Sequence, residues 1–414
     1  MLVNTGNYRI SIFGLYGFLM LVLLLFGWKI TIIESVGSGI RIDDILIFLS
    51  IIPVAIHAYY NDYKLIFIKP IKILLVFFVW SVFVGVYNYI KYHEPSIVVS
   101  FLFSLRHIEY AMIFYVAYYF VNKKQYLVSL DLLLWYLVIL SLLQVTGLLS
   151  GLTAYNVEER VVANTAGPWE LAVVVSLLLF FNLERKRYFY AFLSLVVIYL
   201  TYSRITIAAV ILVIVLKHVR DLSVKNFISL VLVGVLVLSV FLQSGNLYKR
   251  YEGAFSINVV QVMSSIFDEG VEVSGAEDFH YYDEELIKKG LNDVEGDASL
   301  FSRVSRWALA LNVVFSKGVD GVLLGRGAGF FGLALDGYYL RLIVEVGLFG
   351  FIIYMFFISS VRKMGLPTYL KMYFYVVLVT AIFIDILVSY KAMGILWLAL
   401  GVECKGLGEC RESK

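Results

Sequence analysis

The sequence predicts an all-α polytopic membrane protein of about 12 transmembrane helices with one large extracytoplasmic loop. Three observations predict it. Apolar residues are 61% of the 414 and charged residues only 16%, against about 25% charged in a soluble domain, and mean hydropathy is +0.86. A polar shell could not cover that much apolar surface. A soluble enzyme, a nucleic-acid-binding protein and a disordered chain are therefore disfavoured together. Apolar runs close to membrane-crossing length recur along the chain. Finally, Lys and Arg are abundant in every second connection and sparse in the others.

The runs cover residues 10–28, 42–60, 71–90, 101–121, 127–149, 166–183, 188–203, 205–219, 226–243, 338–360, 372–389 and 390–402. The first exceeds the core of a signal peptide and lacks a small-residue cleavage pattern, so it is expected to stay as a helix. The seventh, eighth and last are short for a crossing. The runs are too long, and too little alternating, for β-barrel strands. The chain thus divides into 1–243 with nine helices, a 244–337 loop, and 338–414 with three helices and a tail.

Basic residues orient this arrangement. One set of connections holds Lys64, Lys69, Lys72, Lys123, Lys124, Arg185, Lys186, Arg187, Lys217, Arg220, Lys225, Arg362, Lys363 and Lys371, and the tail adds Lys405, Arg411 and Lys414. The opposite set holds only Lys29, Arg41, Lys91, Arg160, Arg204 and Lys391 outside the long loop. Both termini are expected in the cytoplasm. The 244–337 loop is then outside, with fourteen acidic residues and eight Lys/Arg, and eleven of the acids fall between Asp268 and Asp297. So long a connection usually carries function or structure of its own. Apolar residues at helical spacing predict an amphipathic helix on the membrane surface over 297–316. Cys404 and Cys410 match no common zinc or redox spacing.

Ionisable groups within apolar runs cost several kcal/mol unless paired or hydrated, so they mark where chemistry could be. Arg106 and Glu109 share a helix face, either as an internal pair or with the cation turned to an anionic ligand. Glu170 lies in the first turn of a helix opened by Gly167-Pro168, where an acid suits the helix dipole. Arg204 lies between two apolar runs, either snorkelling or facing a ligand. Arg303 and Arg306 sit on the amphipathic segment, where basic residues most often meet lipid head groups. The Gly325–Gly329 stretch lacks the residues of a nucleotide loop, and its glycines suit a tight turn. Asp336 precedes a helix that it could cap through Gly337. Arg341 and Glu345 follow at i, i+4 spacing, and Gly347 and Gly350 permit close helix contact. With Tyr339, these place an acid, a phenol and a cation at one helix boundary.

Four segments in this order resemble the O-antigen polymerase and ligase superfamily of bacterial inner-membrane glycosyltransferases. They are TAGPWEL at 165–171, TYSRITIAAVIL at 201–212, RVSRWALAL at 303–311 followed by LLGRGAGFF at 323–331, and DGYYLRLIVEVGLFG at 336–350. Lipid A-core ligases of that superfamily usually carry His-Asn where this chain has Asp336-Gly337, which favours a polymerase. The resemblance implies two undecaprenyl-diphosphate-linked oligosaccharides, donor and acceptor, joined with inversion at the outer face of the inner membrane. A planar guanidinium pairs well with phosphate oxygens. Arg204 and Arg341 are accordingly expected to act with Asp336 as the catalytic set, Asp336 as base. Arg303, Arg306, Arg106, Arg160, Glu170 and Tyr339 are expected to bind substrate. No metal and no cofactor is expected. Membrane lipids are expected partners, the acidic loop offers a contact for a chain-length regulator protein, and no nucleic acid is expected. A ligase or a lipid-linked glycan flippase is the alternative.

Overall fold

The computed structural model describes residues 2–5, 8–28, 31–33, 40–60, 67–149, 160–220, 298–332 and 335–407, with a few isolated helical residues between 263 and 285. The ninth apolar run, nearly all of the acidic 268–297 stretch and Cys410 lie outside the described residues.

Apart from two short hairpins, Leu2–Thr5 with Tyr8–Ser11 and Thr31–Ile33 with Ile40–Arg41, the described chain is helical. The helices are α1 (Ile12–Phe26), α2 (Ile42–Leu49), α3 (Ile51–Tyr60), α4 (Lys69–Tyr92), α5 (Ile97–Phe120), α6 (Lys123–Val145), α7 (Pro168–Glu184), α8 (Tyr188–Leu200) and α9 (Arg204–Arg220). After the long loop come α10 (Ala298–Phe315), α11 (Gly318–Leu324), α12 (Tyr338–Arg362), α13 (Thr368–Thr380), a 3-10 turn (Ile386–Val388) and α14 (Tyr390–Leu407).

Local chemistry sets several boundaries. Pro70 and Pro168 stand in the first turns of α4 and α7, where a missing N–H costs nothing. Ser96 caps α5 by accepting from the Val99 N–H at 3.3 Å. Asn122 and Gln125 form a reciprocal capping box on α6.

Among the described residues, four helices, α4, α5, α6 and α12, are long and apolar enough to cross a membrane, or five segments if the bent α10–α11 pair counts as one. Twelve crossings are more than these provide. α8 has 13 residues and α13 has 13, each about 20 Å long at 1.5 Å per residue, against a hydrocarbon core of about 30 Å. The predicted run 372–389 is α13 followed by a turn, and the run at 390 extends into the 18-residue α14. The amphipathic segment forms a helix as expected. It then turns through 120° into α11.

Most of the helices share one large core. A second, smaller core joins Ala308, Leu309, Val313 and Val314 of α10 to Phe330, Phe331, Leu335 and Val344. α14 lies along α5 and α12 along α4. A Cβ on Gly401 would come within 2.5 Å of the Phe114 carbonyl oxygen, so that glycine lets α14 and α5 approach.

Contacts gather the connections at two ends of the bundle. At one end, Lys391 Nζ donates to the Gly27 carbonyl at 2.7 Å and Arg160 Nε to that of Thr201 at 3.0 Å. There too the Tyr338 N–H donates to Ala381 and Ser100 Oγ to Ala328, each at 2.9 Å. At the other end, Lys123 meets Glu403 at 2.8 Å and the Tyr369 N–H donates to Glu184 at 2.6 Å. The sequence-predicted site residues that follow belong to the first end.

Candidate functional site: an arginine and carboxylate cluster beside a broken helix

Helix α12 is broken. Gly347 has φ +70° and ψ 179° inside an otherwise helical run, a conformation that glycine adopts without a steric penalty. A break leaves carbonyls of the preceding turn without their intrahelical partners. They are satisfied from outside the helix. The Val344 carbonyl accepts from the Arg326 N–H at 2.9 Å, Glu345 from the Gly327 N–H at 2.8 Å, and Val346 from Trp80 Nε1 at 3.0 Å. The glycine-rich stretch 325–329 is therefore the turn that was expected, and its role is to dock on the broken end of α12. A Cβ on Gly347 would sit 2.1 Å from the Leu323 carbonyl oxygen.

The half-helix before the break carries Arg341 and Glu345, both nearly fully buried. Arg341 Nη1 donates to the Gly332 carbonyl at 2.8 Å and lies 3.2 Å from Glu345 Oε1. Its Nε and Nη2 lie 3.1 and 2.9 Å from Asp385 Oδ2. The predicted Arg341–Glu345 pair is present, and Asp385 completes it. Asp385 was not among the expected site residues, although an acid inside the apolar run 372–389 was a readable signal. The Glu345 carboxylate also lies near the backbone of Gly329 and Phe331. With its fork on three acceptors, Arg341 welds α12 to the turn before α14.

Asp336 and Gly337 form the elbow that starts α12, at φ +51° and +116°. The expected cap does not form, since no side chain caps this helix. The Asp336 carboxylate turns instead to α10, where its Oδ2 lies 3.5 Å from Arg303 Nε and 3.5 Å from Arg306 Nη1. The two arginines are three residues apart and so share a helix face. Trp307 Nε1 donates to the Asp336 carbonyl, and the Asp336 backbone lies beside Asp385. The elbow thus links the two ion clusters. Arg303, Arg306 and Arg341 face Asp336, Glu345 and Asp385, three charges of each sign.

A small pocket of about 30 Å³ lies beside the buried half of this cluster. Ser81, Arg106, His107, Tyr338, Arg341 and Glu345 are its polar walls. Tyr338 OH is 3.1 Å from His107 Nδ1. Tyr338 therefore lines the pocket, whereas Tyr339, the expected ligand-binding phenol, donates its hydroxyl to the Leu378 carbonyl at 3.1 Å. Arg106 lies over the Phe103 ring at 5.3 Å.

The other expected residues form a separate group. Glu170 is buried and its oxygens are occupied. Oε2 accepts the Ala166 N–H at 2.6 Å, while Oε1 accepts Ser389 Oγ and the Lys391 N–H. It pins the start of α7 to the start of α14. Arg160 holds the α8–α9 turn through Thr201. Arg204 is the first residue of α9, half-buried, and lies in sequence between Ser203 and Thr206, whose hydroxyls are paired. Arg303, Arg306, Asp336 and Arg341 are thus brought together, with Arg106 across the pocket. Among the described residues, no group of three or more His, Cys, Asp or Glu is placed to hold a metal.

No protein-family model matches the chain, and no curated protein matches it.

Proposed function

We propose that the protein is a polysaccharide polymerase of the O-antigen type, a membrane glycosyltransferase that joins undecaprenyl-diphosphate-linked repeat units at the outer face of the bacterial inner membrane. The observation that carries this reading is the convergence of Arg303, Arg306 and Asp336 within 3.5 Å, from segments about thirty residues apart, beside the pocket walled by Arg341. All lie in the motifs on which the family resemblance rests.

In this reading a hydroxyl of the incoming repeat unit attacks the anomeric carbon of the growing chain. The new C–O bond forms as the bond to the diphosphate oxygen breaks, and the configuration inverts. The proton passes to the Asp336 carboxylate. Arg303 and Arg306 leave Asp336 to meet the negative charge that develops on the departing diphosphate, as fixed cations do for phosphoryl leaving groups. Asp336→Asn tests it. In a strain lacking the native copy, it should leave single repeats on the final acceptor and abolish the longer ladder. Ladders of normal length would remove Asp336 from the chemistry. Failure to attach even single repeats in the deletion strain would point instead to a ligase or a flippase. The broken α12 is the one observation favouring the flippase, because transporters build sites from discontinuous helices.

The membrane is proposed to be crossed with both termini in the cytoplasm and the long loop outside. A His280→Cys variant should then react with an impermeant thiol reagent in intact cells stripped of the outer barrier. Labelling only after the inner membrane is opened would reverse the orientation.

A further inference from the structure

Helix α10 holds Asp336 at both its side chain and its backbone. The carboxylate Oδ2 lies 3.5 Å from Arg303 Nε and 3.5 Å from Arg306 Nη1, and the carbonyl accepts from Trp307 Nε1. The first two donors are charged. The third is neutral, and an indole N–H only donates and does not titrate.

The peptide that Trp307 grips is the elbow itself. Asp336 has φ +51° and Gly337 φ +116°, left-handed values that Asp tolerates and glycine adopts freely. The indole stands close against this turn. A Cβ on Gly337 would come 3.2 Å from Trp307 Nε1 and 3.1 Å from the Ile382 carbonyl oxygen. The indole is in turn stacked on Phe383, at 6.2 Å and 27°. Ile382 and Phe383 follow Ala381, whose carbonyl takes the Tyr338 N–H. The elbow is therefore packed against both the indole and the turn after α13.

In the reaction proposed above, Arg303 and Arg306 leave Asp336 for the diphosphate. Two of the holds from α10 are then gone, at the moment when the carboxylate must stay within reach of the attacking hydroxyl. The hold that remains is the uncharged one, which an arriving anion does not draw away by its charge.

We propose that Trp307 is a positioning residue: its N–H bond to the Asp336 carbonyl keeps the elbow, and with it the carboxylate, in place while the two arginines turn to the leaving diphosphate. This rests on the polymerase reading and adds to it a residue that touches neither sugar nor diphosphate.

The test is polymerisation by the purified full chain in liposomes, fed with lipid-linked repeat units extracted from a strain that lacks the protein. Trp307→Phe keeps a ring against Phe383 and removes the donor. Per folded molecule, its kcat should fall about ten- to a hundred-fold with KM within about two-fold of wild type, the signature of a misplaced group that matters in the transition state. Trp307→His is the rescue. Its Nε2 occupies the place of the indole Nε1 on the five-membered ring, so the N–H returns and part of the lost kcat should return with it. A role in packing alone predicts the reverse order, because Phe fills more of the space than His. An undiminished kcat in Trp307→Phe, a raised KM with kcat unchanged, or a Phe variant at least as active as the His variant overturns the proposal. Should neither variant fold, Phe383→Leu decides. Position 383 is 37% exposed, and loss of the stacking partner frees the indole, so kcat should fall while KM holds; an unchanged kcat overturns the proposal. Asp336→Asn run in parallel separates this from the reading beneath it. Wild-type activity in Asp336→Asn removes the base, and the role of Trp307 with it. An inactive Asp336→Asn beside a fully active Trp307→Phe removes the role of Trp307 alone.

Discussion

Asp385 Oδ2 lies 2.9 Å from Arg341 Nη2, joining the turn before α14 to the half-helix of α12 that precedes the break. Arg341 is buried and the Asp385 side chain only 13% exposed, and Glu345 is the second acid on the same guanidinium. Removing one partner of a buried ion pair costs about 3–5 kcal/mol, because the other charge is left uncompensated. Arg341→Ala strands two carboxylates, and Asp385→Ala strands the Arg341 Nε and Nη2 donors. Both should lower the thermal unfolding midpoint of the detergent-solubilised protein, Arg341→Ala more. Lysine at 341 keeps the charge but cannot span Gly332, Glu345 and Asp385 at once, so it should recover only part. An Arg341→Ala protein as stable as wild type would mean that the cluster contributes nothing to the fold.

Gly347→Ala is the sharpest test of the broken helix. Its φ of +70° is strained for any residue with a Cβ, and that Cβ would overlap the Leu323 carbonyl. The two effects together should cost several kcal/mol, read as low yield of folded protein or a much reduced unfolding midpoint. Gly350→Ala, where φ is helical and the nearest atoms belong to the side chains of Val346 and Trp80, should be the milder change. Equal tolerance of both would argue for a continuous α12.

Glu170 should act through structure. Gln at 170 keeps one acceptor oxygen and turns an amide N–H₂ towards donors. Either way round, it faces backbone N–H groups, that of Ala166 on one side and that of Lys391 on the other. An unsatisfied buried group costs about 1–3 kcal/mol. Glu170→Gln should therefore destabilise the protein by that order, with any loss of activity in proportion to the folded fraction. A well-folded Glu170→Gln protein without activity would instead give Glu170 a direct part in the chemistry.

For the exposed half of the site, Arg303→Lys with Arg306→Lys separates charge from shape. Asp336 meets single nitrogens of each arginine at 3.5 Å, which lysine ammonium groups can also do. Folding should be retained. If the arginines hold a diphosphate in the reaction, loss of their planar forks should still reduce polymer yield at least ten-fold, a difference of about 1.4 kcal/mol. Unchanged yield in the double lysine variant would confine these two residues to holding the elbow.

Composition and periodicity were enough for the membrane class, for the helix at 298–315 and for the Arg341–Glu345 pair, because each follows from local spacing: a helix brings residues four apart together wherever it sits. Arg303, Asp336 and Arg341 could also be singled out as candidates, and Gly325–Gly329 as a turn. What they do to one another could not be read. Asp336 reads locally as a helix cap, yet its carboxylate turns to α10, because the elbow at Asp336 and Gly337 aims it there and two guanidinium groups outcompete a backbone amide for it. Gly347 reads as a contact glycine in a continuous helix, yet the chain breaks there. The freed carbonyls find donors in Arg326, Gly327 and Trp80, two of them about twenty residues away and one more than two hundred and sixty. Asp385 joins Arg341 from forty-four residues away. Local spacing encodes which face a side chain occupies. Only the packed bundle decides which distant donor or charge meets it, because burial removes water as the alternative partner and leaves each polar group to the nearest partner the fold supplies.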